Sequence, residues 1–322
     1  MLRQSYNLCP KTVHPKEFAL RVFVWSPFES YFYSMDKHNL HIGTCSWKYD
    51  SWQGMIYPAH KPYNYLREYS RHYHTVEVDQ WFWSLFRGDK AVLPKPSVVK
   101  EYAQSVPDNF IFAIKVPNSI TLTHHYRKQK NDPLIPNPHY LSVDLMQRFL
   151  ESLAPISQNI GPLIFQFEYL NRQKVPGGLT QFLDRFAEFA EQLPAGRDYF
   201  VETRNPNFLN EKYFGFLNSQ GLYHVFLQGY YMPSVFDLYN TYREQVRGRV
   251  VIRLHGPDRK GMEEQTGNDW SQVVSPRDHD IASLVGMLSD LQSRRIETFL
   301  FVNNHFEGSA PRTIVRIEQR LM

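Results

Sequence analysis

Val250-Val-Ile-Arg253-Leu-His255-Gly256 opens as a β-branched run and turns polar at its C-terminal end, where Arg253 and His255 stand two residues apart. Side chains alternate between the faces of a strand, so those two share one face. A parallel strand covered on both sides should stay apolar along its whole length. The same polar ending recurs along the chain. Glu77 and Asp79 close Thr75–Val78, Lys115 closes Phe110–Val116, and Gln166 and Glu168 close Leu163–Phe167. Glu202 and Arg204 end Tyr199–Thr203, and Asn303 and His305 follow Thr298–Val302. With His41–Cys45 and Tyr223–Leu227 these runs number eight.

Between them lie stretches of helical period. In 179–193, Leu179, Phe182, Leu183, Phe186, Ala190 and Leu193 share a face, with Asp184, Arg185 and Glu188 off it. Ser275-Pro276 reads as an N-cap followed by a proline at the first helical position, ahead of Asp278–Leu291, and Pro311 plays the same part for the last helix. Eight alternating strand and helix units predict an α/β fold, a single (β/α)₈ TIM-type barrel over residues 40–322. An open doubly wound sheet is the runner-up. It is weakened by the absence of a Gly-x-Gly-x-x-Gly turn after the first strand and of a Walker-type loop. The long stretches 79–109 and 117–162, each with prolines, are expected to carry extra loops.

Residues 1–38 precede the first strand without strong periodicity and read as an N-terminal extension, or as the product of an upstream start codon with the working protein beginning near Met35. The barrel domain is then 39–322. At 42% hydrophobic and 21% charged, the chain has material for a large core, which excludes a disordered protein. No apolar run reaches the ~18 residues of a membrane span, the nearest, Phe18 to Tyr33, being broken by Arg21, Pro27 and Glu29, and no membrane partner is expected. Two cysteines, Cys9 and Cys45, make neither a disulfide framework nor a closed zinc site, so a reducing, cytoplasmic setting is the default. Cys45, inside a strand, reads as a small buried hydrophobe. The net charge of +4 is too mild to mark a nucleic-acid protein by itself.

In a barrel the polar strand ends converge on one mouth, where active sites of this fold lie. One charged strand end is ordinarily a solvated or ion-paired group; six in phase call for a use, because burying that many charges is costly. Glu77 and Glu202 are the acid/base candidates, on the logic of paired carboxylates. Lys115 suits a base or Schiff-base role, and His255 completes the catalytic set. Arg204 and Arg253 suit bidentate binding of phosphate or carboxylate. Trp47, Trp52, Trp81 and Trp83 are candidates for sugar subsites, core packing being the plainer reading. Glu77, Glu202, His255 and His305 could ligate a divalent metal, but three neighbouring cations make an anion site the better reading, so no cofactor and no metal are predicted. The segment from His124 to Lys130 mixes aromatic and basic residues, as a nucleic-acid-tracking loop does, and as a solvated loop also does. Gly256–Gly267 reads as a shaped or mobile loop whose Glu263 and Glu264 face water.

Ile42-Gly-Thr-Cys-Ser-Trp47-Lys-Tyr49, Thr75-Val-Glu77-Val-Asp79, Phe112-Ala-Ile-Lys115, Gly161-Pro-Leu-Ile-Phe-Gln166, Val201-Glu202-Thr-Arg204-Asn-Pro206, Arg253-Leu-His255-Gly256 and Phe301-Val-Asn303-Asn304-His305 follow one another in an order that resembles the YecE-like family, domain of unknown function 72. The resemblance covers residues 40–322 and implies a TIM-type barrel with its site at the mouth, and no particular reaction. It also departs from the family pattern: Ser46 stands where the family has Gly, Asp79 where it has Asn, Trp83 where it has Tyr, and Glu168 replaces a proline-containing turn.

The expectation is an enzyme, hydrolase- or isomerase-like, acting on a small anionic or polyhydroxylated ligand. Glu77, Glu202, Lys115 and His255 do the chemistry; Trp47, Tyr49, Asp79, Gln166, Arg204, Arg253, Asn303 and Asn304 hold the substrate. The alternative is a nucleic-acid-binding module using the same mouth. On the first reading Lys115, Glu202, Arg204 and Arg253 form one unit, and Arg253→Met should cost little stability while abolishing anion binding.

Overall fold

A computed structural model describes residues 39–322 apart from 87–89, 128 and 130. The expected extension 1–38, with Cys9 and Met35, lies outside the described residues, as do Lys128 and Lys130. Eight parallel strands form a closed barrel: β1 (Leu40–Cys45), β2 (Thr75–Val78), β3 (Ile111–Lys115), β4 (Ile160–Phe167), β5 (Tyr199–Thr203), β6 (Tyr223–Gly229), β7 (Arg249–Gly256) and β8 (Glu297–Val302). Each pairs with its neighbour in sequence, and β8 closes on β1 with Leu40 against Thr298 and Thr44 against Val302. The predicted TIM-type barrel is the fold.

Among the described residues ten α-helices follow the strands around the barrel: α1 (Tyr65–Tyr69), α2 (Pro96–Ala103), α3 (Asn118–Thr121), α4 (Val143–Ser152), α5 (Gly178–Ala190), α6 (Glu211–Ser219), α7 (Val235–Tyr242), α8 (Arg259–Thr266), α9 (Asp278–Ser293) and α10 (Ala310–Leu321). In α5 the buried residues are Phe182, Leu183, Phe186 and Phe189, close to the predicted face. α10 starts with Pro311 in its first turn, as expected. α9 does not start at Ser275-Pro276: its N-cap is Arg277, which makes no side-chain cap. The Arg277 backbone N–H instead donates to Glu307 Oε1 at 2.6 Å, so a tertiary carboxylate satisfies the donor that a capping serine would take. The long second connection carries a two-stranded antiparallel ribbon, Leu85–Phe86 with Lys90–Ala91.

Alternation along the strands divides the sheet into two surfaces. Outward side chains such as Val76, Ile114, Phe165, Val201, Ile252 and Leu300 pack beneath the helices. Inward ones, Cys45, Ala113, Ile164, Phe200, Val225, Val251, Phe299 and Phe301, fill the barrel interior. Two residues further along on the same face come Lys115 after Ala113, Gln166 after Ile164, Glu202 after Phe200, and Arg253 after Val251. The inward row is thus an apolar plug capped by a polar layer, all at the C-terminal end.

Candidate active site at the barrel mouth

Arg253 is the hub of the polar layer. Its side chain is 1% exposed. Nε and Nη2 donate to the two carboxylate oxygens of Glu77 at 2.6 and 2.7 Å, a bidentate pair. Nη1 donates to Glu202 Oε2 and, at 3.3 Å, to Gln166 Oε1. Glu202 Oε1 accepts from Arg204 Nε at 2.6 Å, and Arg204 Nη2 reaches Gln166 Oε1 at 3.4 Å. Glu77 and Glu202 are both buried. Register explains the assembly: Gln166 lies beside Glu202 across β4 and β5, and Cys45 beside Glu77 across β1 and β2.

Electrostatics sort these groups by task. Burial alone would raise Glu202, but the guanidinium groups of Arg204 and Arg253 outweigh it and hold the carboxyl at about 2. That group stays ionised at neutral pH, which removes it as a proton donor. Asp79, just past β2, moves the other way, raised by burial and then by the charge of Glu77. Lys115 is lowered by burial and by Arg253. Its ammonium lies 4.2 Å from the centre of the Phe82 ring and makes no ion pair with a carboxylate among the described residues.

His255 and Cys45 form a neutral corner. The Cys45 thiol donates to Glu77 Oε2 at 3.7 Å, which leaves the His255 Nε2–H facing sulfur, also at 3.7 Å. His255 Nδ1 then accepts from the Tyr230 hydroxyl at 3.2 Å. Burial holds the imidazole well below its usual value, followed by Arg253 and Arg204, and burial together with Glu77 pushes the thiol up. Neutral thiol beside neutral imidazole is the reverse of an activated cysteine. Among the described residues no group of three His, Cys, Asp or Glu side chains is arranged to hold a metal ion.

The remaining predicted residues stand apart. Asn303 accepts from the backbone N–H of His305 at 3.0 Å, with the His305 Nδ1 2.5 Å from the same oxygen, and Asn304 caps α10 by accepting from the Ala310 N–H at 2.8 Å. Both hold backbone rather than face the cluster. Trp47 is buried and lines the approach, whereas half-buried Tyr49 packs on Trp52 and donates through its hydroxyl to the Cys45 carbonyl at 3.5 Å, beside the charged layer. Of the four tryptophans weighed as sugar platforms, Trp52 and Trp81 are core and only Trp83 is exposed. A cleft of about 650 Å³ opens beside the cluster, lined by Trp47, Lys48, Tyr65, Asp79, Glu101 and Tyr102 among others, and it meets the cluster at Asp79. The turn that shapes it holds Ser46 at φ 76° while its N–H donates to the Glu77 carbonyl at 3.1 Å.

Two loop expectations change. Gly256–Gly267 is mostly the helix α8, and Glu263 does not simply face water: it accepts from Arg259 Nε at 2.7 Å and from His305 Nε2 at 3.1 Å. Sequence reasoning missed Tyr230, Phe82 and the network position of Cys45. Cys45 was findable, being the inward residue of β1 level with Glu77; Tyr230, at φ 54° after Gly229, carries no such periodic signal.

A family model described as Protein of unknown function DUF72 matches residues 41–322. The UPF0759 protein YecE of Escherichia coli K12 is 27% identical over 169 residues, 52% of this chain and 50% of that protein, so the chain spans about half the length of the curated relatives it matches. Crystal structures of DUF72 family proteins from Thermotoga maritima and Enterococcus faecalis share the fold. The first is 20% identical with a TM-score of 0.60, covering 88% of this chain and 98% of that one. The second is 18% identical with a TM-score of 0.60, covering 88% and 95%.

Proposed function

The chain belongs to the DUF72 family, and from that premise and the layout of the mouth we propose that it is an enzyme of acid/base type, hydrolase- or isomerase-like, acting on a small anionic or polyhydroxylated substrate. The observation that carries the reading is Lys115: a nearly buried ammonium with no carboxylate partner among the described residues, its proton affinity lowered by its surroundings. A lysine with lowered affinity serves as base or carbonyl nucleophile near neutral pH. Asp79, displaced upward on the rim of the cleft, is the matching proton donor. Arg204, 16% exposed, presents a guanidinium to an anionic group. Glu77, Glu202 and Arg253 support these three, because their charges are committed to one another, and His255 supports them from the neutral corner. Gln166 bridges the two arginines. No cofactor is proposed: three cations face three carboxylates here, which leaves little excess negative charge for a divalent ion. A reducing, cytoplasmic setting agrees with the free thiol of Cys45 inside the cluster. The alternative, a nucleic-acid-binding module at the same mouth, draws support from the exposed aromatic side chains of the surrounding loops.

The test is thermal unfolding in phosphate against chloride at matched ionic strength, with a side-chain carbon NMR titration of Lys115. The wild type should gain melting temperature in phosphate, Arg204→Gln and Lys115→Met should lose that gain, and Lys115 should titrate below an ordinary lysine. An unshifted Lys115 together with a phosphate response identical in all three proteins would defeat the proposal.

A further inference from the structure

Eight large apolar side chains are exposed among the described residues, and seven of them lie on loops that follow the C-terminal ends of β2, β3, β4 and β6. The eighth is the terminal Met322. Singly exposed apolar residues need no explanation, but a concentration on one face does. Five of the seven are aromatic, and four of these are arranged in two pairs. Trp83 and Tyr126 lie 5.9 Å apart, and Tyr169 and Tyr231 lie 6.5 Å apart. Trp83 is 63% and Tyr231 61% exposed, so the rings offer faces to solvent instead of filling a core.

Arg204 relates the two pairs. Its guanidinium lies 4.9 Å from the centre of the Tyr230 ring, next in sequence to Tyr231, and Tyr126 and Tyr231 both feel the opposed charges of Glu168 and Arg204. The same loops hold three exposed cations, Lys90, Arg127 and Arg172, that make no ion pair among the described residues. Aromatic faces flanking a guanidinium, within a cationic surround, select a planar ring that carries an anionic group. A neutral sugar would use the rings and leave the cations idle; a bare anion would do the opposite.

We infer that the rim of the mouth is a nucleotide-binding platform, with the base stacked on the paired aromatic side chains and the phosphate on Arg204. The platform rests on the anion-binding role proposed for Arg204 and names the substrate class of that site. The nucleotide comes either free or as one unit of a single-stranded chain, since both present the same base and phosphate.

Calorimetric titration of the full chain with adenosine 5′-monophosphate, ribose 5-phosphate, adenosine, a ten-residue oligodeoxyadenylate and maltohexaose separates the possibilities. Adenosine monophosphate should bind at least about 10-fold more tightly than ribose 5-phosphate or adenosine. Trp83→Ala and Tyr231→Ala should each weaken it by about 10-fold, within the range for one stacked base, and leave ribose 5-phosphate unchanged. Arg204→Gln should weaken both phosphates. An oligonucleotide that binds more tightly than the monomer, with a log–log salt slope of several units, identifies the chain as the source; equal affinity identifies the free nucleotide. If ribose 5-phosphate matches adenosine monophosphate and the rim variants are silent, the platform is wrong while the anion site stands. If adenosine monophosphate and the oligonucleotide both fail to bind, or maltohexaose alone binds and responds to the rim variants, the inference is overturned.

Discussion

Arg253 shows how far a single residue can be read from sequence. Its place on the inward face of β7 followed from period-two alternation, and so did the company of Glu77 and Glu202. Which of its nitrogens bonds which carboxylate did not follow, because Glu202 and Glu77 come from strands 51 and 176 residues away, and only barrel register sets them side by side. On sequence alone Arg253→Met looked inexpensive. In the structure it strips buried Glu77 of its bidentate partner and leaves buried Glu202 with Arg204 alone. Removing one partner of a buried pair typically costs ~3–5 kcal/mol, because the remaining charge stays desolvated. We therefore expect Arg253→Met to lose about 3 kcal/mol or more in urea unfolding at neutral pH, with much of it recovered in the triple variant that adds Glu77→Gln and Glu202→Gln. A single variant as stable as wild type would mean that the carboxylates find other partners.

Elements were more legible than their ends. All eight strands were predicted close to their observed limits because each is a short apolar run, and α5 because its period is clean. The start of α9 was misread since a capping serine is a local signal, and Glu307, near the opposite end of the last strand, took its place. The C-terminal end of β7 is another case in which a distant contact decides. Gly256 has φ 76°, and a Cβ there would stand 2.4 Å from the His305 carbonyl oxygen. Its own carbonyl accepts from the Tyr230 N–H at 3.0 Å, so it joins the ends of β6, β7 and β8. Gly256→Ala adds left-handed strain of ~1–2 kcal/mol to a clash with backbone that cannot step aside. The expected loss is about 3 kcal/mol, together with a weaker phosphate-induced rise in melting temperature as His255 and Tyr230 shift. A variant that unfolds at the wild-type urea midpoint would show that this junction is softer than its contacts imply.

At the scale of the whole molecule, what composition could not foretell is how many titratable groups the barrel holds away from their usual protonation. His224 is pressed by burial to about 3, enclosed by Phe214, Phe226 and Tyr213, and His255 is likewise held well below its usual value. For both, the folded state refuses a proton that the unfolded chain accepts near pH 6.5. Their contribution to stability is thus full above that pH and is lost as pH falls. Between pH 7 and pH 5 His224 should cost about 2 kcal/mol, at 1.36 kcal/mol per pKa unit, and His255 pulls in the same direction. Glu318 opposes them. Burial raises it to about 7, so its folded form binds a proton more readily than the unfolded one, and it contributes stability at low pH that disappears as pH rises through 7. Over the same interval it returns about 2 kcal/mol. Glu202, at about 2 when folded, adds its loss only below the ordinary carboxylate range. His224 and Glu318 nearly offset one another over this interval, with His255 pulling alongside the first and Asp79 alongside the second. Glu318→Gln should add about 2 kcal/mol to the loss between pH 7 and pH 5 and His224→Gln should remove about 2 kcal/mol from it, whatever either substitution does to stability at pH 7. Urea unfolding of the three proteins at both pH values measures the differences directly. Equal pH dependence in all three would show that these buried groups keep their solution affinities, and that water reaches the interior more freely than its packing suggests.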